Sequence, residues 1–75
     1  MVKNTGKGKE IKIGTVIEAL PNATFRVQIE GEEGLVFAYL SGKMKMYRIK
    51  VLVGDNVKME MDDYDAAKGR IIQRL

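Results

Sequence analysis

The chain is cut into short apolar stretches, the longest unbroken one running only from Leu35 to Leu40, each bounded by residues that turn the backbone. Ile11 and Ile13 open a series that runs to Leu20, with Gly14 marking a bend or bulge inside it. Leu20-Pro21-Asn22-Ala23 reads as a turn, because Pro presets φ at its second position and Asn tolerates the third. Phe25, Val27 and Ile29 alternate with Arg26, Gln28 and Glu30, the period of a half-buried strand. Gly31-Glu32-Glu33-Gly34 then closes a hairpin onto Leu35–Leu40, which is apolar on both faces and is expected to be a central strand. After a punctuating Val53-Gly54-Asp55, Val57, Met59 and Met61 alternate with Lys58, Glu60 and Asp62. Asp65 to Gly69 suggests a single helical turn, and a last strand runs from Arg70 to Leu75.

Five short strands and no long helix, in 75 residues, set a strict condition. A chain this size buries only about 60% of its unfolded surface. Open strand edges are a liability it cannot cover with other layers. Closing the sheet on itself removes them, so the expected fold is all-β, a small barrel. Five strands with an irregular, part-helical connection between the third and fourth is the OB-fold arrangement. An SH3-like barrel is the runner-up, and the long third connection suits it less well. Residues 1–9 are rich in Lys and Gly and hold little to bury, so they are expected to form a flexible basic arm before a single domain at 10–75.

That third connection concentrates charge. Ser41-Gly42-Lys43-Met44-Lys45-Met46-Tyr47-Arg48-Ile49-Lys50 carries four cations and no acid. The acids fall before it, at Glu18, Glu30, Glu32 and Glu33, or after it, at Asp55, Glu60, Asp62, Asp63 and Asp65. The net charge of +3 therefore understates the local field. Such a segment either meets phosphates, where Lys and Arg release condensed counterions, or is a solvated connection. Met44, Met46 and Ile49 are expected to plug one end of the barrel.

Composition excludes several functions. With no Cys and no His, the chain has no disulfide framework, no thiolate or imidazole metal site and no Cys/His nucleophile. Asp62, Asp63 and Asp65 lack the further oxygen ligands and distal Glu of a calcium loop and read as a solvated turn with a helix cap. Gly6, Gly8 and Gly42-Lys43 have no strand-to-helix context for a phosphate loop. No apolar run approaches the roughly 20 residues that span a bilayer. Residues 1–9 have no apolar segment behind their charges, so no secretory signal is expected. The expectation is a cytoplasmic protein without cofactor, metal or enzymatic activity.

The residues also resemble a family. Gly14-Thr15-Val16-Ile17-Glu18-Ala19-Leu20-Pro21-Asn22 with Phe25-Arg26-Val27, then Ser41-Gly42-Lys43-Met44-Lys45, Gly54-Asp55 and Val57, and finally Tyr64-Asp65 and Lys68-Gly69-Arg70-Ile71, are similar to bacterial translation initiation factor one. The likeness runs from about Gly14 to Arg74, with the blocks in the family's order. It implies a single OB-fold that binds the small ribosomal subunit at the decoding region, through ribosomal RNA and a neighbouring ribosomal protein. It implies occupation of the aminoacyl-tRNA site, cooperation with initiation factors two and three, and a monomer off the ribosome. The chain departs from the pattern in a longer Gly31–Gly34 loop, in Tyr39 where a histidine is common, in a tyrosine one place early at Tyr47, and in its basic arm.

The resemblance turns the cations into candidates: Lys43, Lys45, Arg48 and Lys50 in the connection, and Lys68, Arg70 and Arg74 at the last strand, are expected to contact RNA. Strand parity would send Arg70 and Arg74 out of one face, either a binding face or the solvent side. Tyr39, Tyr47 and Tyr64 are the tyrosines available to stack on unpaired bases, with Tyr47 the candidate and Tyr64 expected to pack against the barrel end. Phe25 and Phe37 are expected in the core. Two other classes compete. A general single-stranded nucleic-acid binder or RNA chaperone would carry cold-shock-type aromatic strand motifs, which are absent. A protein-interaction barrel would bind without salt dependence.

Overall fold

The computed structural model describes residues 10–75, and the expected arm at 1–9 lies outside them. Five strands form a closed barrel: β1 (Ile11–Leu20), β2 (Thr24–Ile29), β3 (Leu35–Leu40), β4 (Asn56–Met61) and β5 (Lys68–Arg74). A five-residue helix, α1 (Gly42–Met46), sits between β3 and β4. Around the barrel the order is β1-β2-β3-β5-β4, closed by β4 on β1. Every pairing is antiparallel except β3 with β5. This is the OB-fold expected from the sequence.

Closure depends on β1 serving two neighbours. Its first half pairs with β4 (Ile11↔Glu60 to Thr15↔Asn56) and its second half with β2 (Gly14↔Ile29 to Leu20↔Thr24). The strand curls between them, and its register to β2 slips between Val16 and Glu18, the irregularity that a sharply bent strand needs. Gly14 lies in the overlap, opposite both Ile29 and Val57. A Cβ there would sit 2.6 Å from Val27 Cγ1 and 2.8 Å from the Gln28 carbonyl oxygen. Only glycine lets β2 come that close.

The barrel is filled by Val16, Phe25, Val27, Ile29, Val36, Ala38, Val57, Met59, Met61 and Ile71, with Met44 and Val51 entering from the third connection. Pairing decides which face of β3 is inside. Phe25 is the cross-strand neighbour of Ala38 and Val27 that of Val36 on the inward face, so a large ring packs beside a small partner. Leu35, Phe37 and Tyr39 consequently face out, and Phe37 is 38% exposed. The expectation that β3 is buried on both faces, with Phe37 in the core, is corrected: Phe25 already fills the space.

The turns carry further corrections. Between β1 and β2 the turn lies where it was expected, at Pro21-Asn22-Ala23, with Asn22 and Ala23 both in left-handed backbone (φ 64° and 56°). Gly31 and Gly34 take positive φ in the β2–β3 loop as read. Lys12 Nζ pairs with Glu32 there, and this hydrogen bond holds the Lys12 ammonium pKa above its ordinary value against the lowering effect of burial. Residues 65–67 form a turn and not a helical one: Asp65 Oδ1 accepts from the Ala67 amide (2.9 Å), and its carbonyl accepts from Lys68 (3.1 Å). β5 thus begins at Lys68, and Gly69 lies within it instead of capping a helix. No helix among the described residues is long and apolar enough to cross a membrane.

Gly14→Ala should cost about 1–3 kcal/mol, the range for forcing extra volume into a packed interior. Gly69→Ala should cost less, because its added Cβ presses on the flexible end of Met59 (Cε, 2.6 Å) while the Glu60 carbonyl oxygen lies at an ordinary 3.4 Å. Urea unfolding of both variants checks the ranking.

Candidate nucleic-acid interface

α1 is held by its ends. Ser41, buried, caps it: its Oγ accepts from the Met44 amide at 3.2 Å, and its own amide donates to the Ile71 carbonyl at 2.9 Å. Met44 drops into the barrel end, 2% exposed, and Ile49 packs beside it half-buried. Met46 is 72% exposed, which corrects its place in the plug. Two residues advance a helix by roughly 200°, so Met44 and Met46 cannot share a side. The helix then stops on Arg48, which takes left-handed backbone (φ 54°) while its amide donates to Lys45 and that of Ile49 to Met44. Position 48 is one where glycine or asparagine is the usual occupant.

This anchoring pushes the charges outward. Lys43, Lys45, Tyr47, Arg48 and Lys50 are all exposed. Among the described residues none of these four cations forms an ion pair. Arg74 joins them from β5: its Nη1 donates to the Lys50 carbonyl at 2.9 Å. Arg74 stays exposed, and the bond braces the basic connection against the sheet.

The last strand does not present its arginines on one face. Met59 pairs with Ile71 and Lys58 with Gln73, so Ile72 is an extra residue that reverses the parity beyond it. Arg70 stands opposite Glu60, to which its Nη2 donates, whereas Arg74 stands opposite Val57, a core position. The candidates therefore fall into two groups. Lys43, Lys45, Tyr47, Arg48, Lys50 and Arg74 gather at the α1 end of the barrel. Lys68 and Arg70 lie back along β5, beside Phe37 and Tyr39 in the parallel pairing.

The opposite end of β4 and β5 is acidic. A shallow depression of about 310 Å³ there is lined by Glu10, Lys12, Met61 and residues 62–66, three of them Asp. Tyr64 is 98% exposed and does not pack against the barrel end, because Asp62 Oδ1 accepts from the Tyr64 amide (2.7 Å) and turns the chain outward. No group of three or more acids among the described residues is placed to hold a metal ion. The barrel is electrically polar, with cations gathered at one end and carboxylates at the other.

A closed OB-fold with a rigid, cation-bearing connection between β3 and β4 defines a small RNA-binding module. A family model described as eIF-1a, "Translation initiation factor 1A / IF-1", matches residues 2–75. The chain belongs to the translation initiation factor IF-1 family, whose members are initiation factors and not enzymes. It is 52% identical over 61 residues to translation initiation factor IF-1 of Rickettsia akari (strain Hartford), covering 81% of this chain and 84% of that protein. The chloroplastic IF-1 of Oryza sativa subsp. indica is 47% identical over 73 residues, 97% of this chain and 67% of the rice protein. The solution structure of translation initiation factor IF-1 from the Wolbachia endosymbiont strain TRS of Brugia malayi superposes with a TM-score of 0.75 at 39% identity, covering 96% of this chain and 84% of that one.

Two substitutions in the connection should move stability in opposite directions. Ser41→Ala removes the cap and should cost about 1 kcal/mol. Arg48→Gly relieves a left-handed strain of roughly 1–2 kcal/mol against glycine's entropic cost of roughly 0.5–1, so it should leave stability level or raise it by up to about 1.5 kcal/mol. Denaturant midpoints of the two variants read both signs.

Proposed function

We propose that this initiation factor binds the small ribosomal subunit at its decoding region, through ribosomal RNA, and occupies the place an aminoacyl-tRNA would take. The observation that carries the reading is the α1 end: Lys43, Lys45, Arg48 and Lys50 are exposed, without an ion pair among the described residues, on a connection pinned by Met44 and by Arg74. Cations presented on a rigid support meet the sugar-phosphate backbone without first being ordered or freed from carboxylates. The acidic end is repelled by the same phosphates, so one orientation is favoured. Occupancy then blocks premature tRNA entry and shifts the subunit towards a state competent for initiation, together with initiation factors two and three. The site of action is the compartment of the ribosomes it serves, the cytoplasm in this reading, while the rice relative is a chloroplastic protein.

If these cations neutralise roughly four to six phosphates, the slope of log affinity against log salt should be about −3 to −5. A slope near zero would instead favour a protein-interaction barrel. Lys43→Glu with Lys45→Glu should abolish subunit binding in a sedimentation assay while leaving the fold intact, since exposed lysines contribute little to stability. Lys58→Glu, on β4, should matter far less. Chemical probing should show altered reactivity at the decoding-site adenines, lost on reversing Lys45. Competition by aminoacyl-tRNA but not by initiator tRNA in the adjacent site is expected. Displacement by any unstructured RNA, with those adenines unperturbed, would sink the reading.

A further inference from the structure

We infer that Met46 is a reversible oxidation site, at which a hydroperoxide converts the thioether to a sulfoxide and so weakens the RNA contact of the α1 end. The effect on binding rests on the reading of that end as an RNA site; the chemistry at sulfur does not. Of the chain's five methionines, four lie among the described residues. Met44, Met59 and Met61 belong to the core, at 2%, 0% and 5% exposure, whereas Met46 is 72% exposed. One thioether of the four is open to solvent, and it stands in the basic connection.

Oxidation depends on that contrast. The Sδ lone pair attacks the terminal oxygen of the hydroperoxide, and an S–O bond forms as the O–O bond breaks. The sulfur loses two electrons, and the departing oxygen takes up the hydroperoxide proton and leaves as water or an alcohol. The oxidant must therefore touch the sulfur. Gly69 backs directly onto two of the buried side chains, with Met59 Cε 2.6 Å and Met61 Sδ 3.2 Å from where a Cβ on it would stand. Those sulfurs, and that of Met44, are reached only when the barrel opens. Reaction at Met46 needs no opening and puts no polar oxygen into the core.

The position of Met46 gives the product its effect. It ends α1, next to Lys45 and three residues after Lys43, and residues three apart are neighbours on a helix surface. A thioether is a weak hydrogen-bond acceptor, so the reduced side chain leaves the Lys43 ammonium to a phosphate. The sulfoxide oxygen is polar and partly negative. It offers that ammonium a rival acceptor and sets a repelling dipole beside the phosphate's path. The Ser41 cap and the Arg74 bond to the Lys50 carbonyl hold the connection in place, so the backbone does not carry the new group away. The same exposure makes the change reversible. A reductase reaches the sulfoxide, two thiols give up two electrons and close to a disulfide, and the oxygen leaves as water.

The test treats the folded full chain with graded hydrogen peroxide and maps the added oxygen by peptide mass spectrometry, with cleavage after Lys45 separating Met44 from Met46. Met46 should react at least about tenfold faster than Met44, Met59 or Met61, and unfolding in urea should erase the difference. Comparable rates in the folded chain, or an unreactive Met46, overturns the site. Sedimentation with small subunits should show affinity lowered about 2- to 10-fold after treatment, the worth of one hydrogen bond. Methionine sulfoxide reductases for both epimers should restore it, and Met46→Leu should not respond to peroxide at all. Unchanged affinity after full oxidation, a loss that the reductases leave in place, or an equal response of Met46→Leu overturns the switch. Lys43→Glu with Lys45→Glu keeps the two readings apart. Loss of the subunit by that variant upholds the α1 site whatever peroxide does, whereas retained binding removes the α1 site and leaves the oxidation site to the mass map.

Discussion

Everything in this barrel depends on one strand having two neighbours. β1 must pair with β4 over its first half and β2 over its second, and it can do so only where the backbones approach at Gly14. Without that approach the sheet opens, and Val16, Val27 and Val57 lose their enclosure together. The buried core also fixes where the charges go. Met44 is drawn into the barrel end by the same apolar interior, and its burial orients α1 so that Lys43 and Lys45 face solvent. Hydrophobic packing and electrostatic presentation are two results of a single closure.

The connection shows how stability and binding are divided among adjacent residues. Ser41, Met44, Ile49 and Val51 anchor it, while Lys43, Lys45, Tyr47, Arg48 and Lys50 project from it. Arg48 stands on the border. It ends the helix in a backbone conformation that side chains other than glycine adopt only at a cost, and it holds a charge in an exposed part of the loop. Arg74 serves both sides, bracing the Lys50 carbonyl while adding its own charge to the group.

Much of this was legible from the chain. The alternation of Phe25, Val27 and Ile29, the turn glycines at 31 and 34, and the cation-rich third connection lead to the barrel and to the end of it where the exposed cations gather. What escaped was decided by neighbours in space. Leu35–Leu40 is apolar throughout, so its own pattern cannot say which side faces in; the pairing of Phe25 with Ala38 decides it. The parity of Arg70 and Arg74 fails because of one extra residue, Ile72, which no local rule reveals. Asp65–Gly69 has the residues of a capped turn of helix, yet the Lys68 amide closes only a tight turn on the Asp65 carbonyl, and Lys68 and Gly69 pair with β3 and β4 as the start of β5. Phe37 and Lys68, far apart in the chain, became neighbours only through the parallel β3–β5 pairing.

That pairing has a consequence for how the molecule comes apart. Each strand of the closed ring has a partner on both sides, and β5 bridges β3 to β4. Detaching any one strand exposes two edges at once and empties part of a core that all five share. No subset of four strands keeps the ring intact, so partial structures have little to stabilise them. Unfolding should be a single concerted event, in which the basic connection remains ordered until the barrel itself is lost.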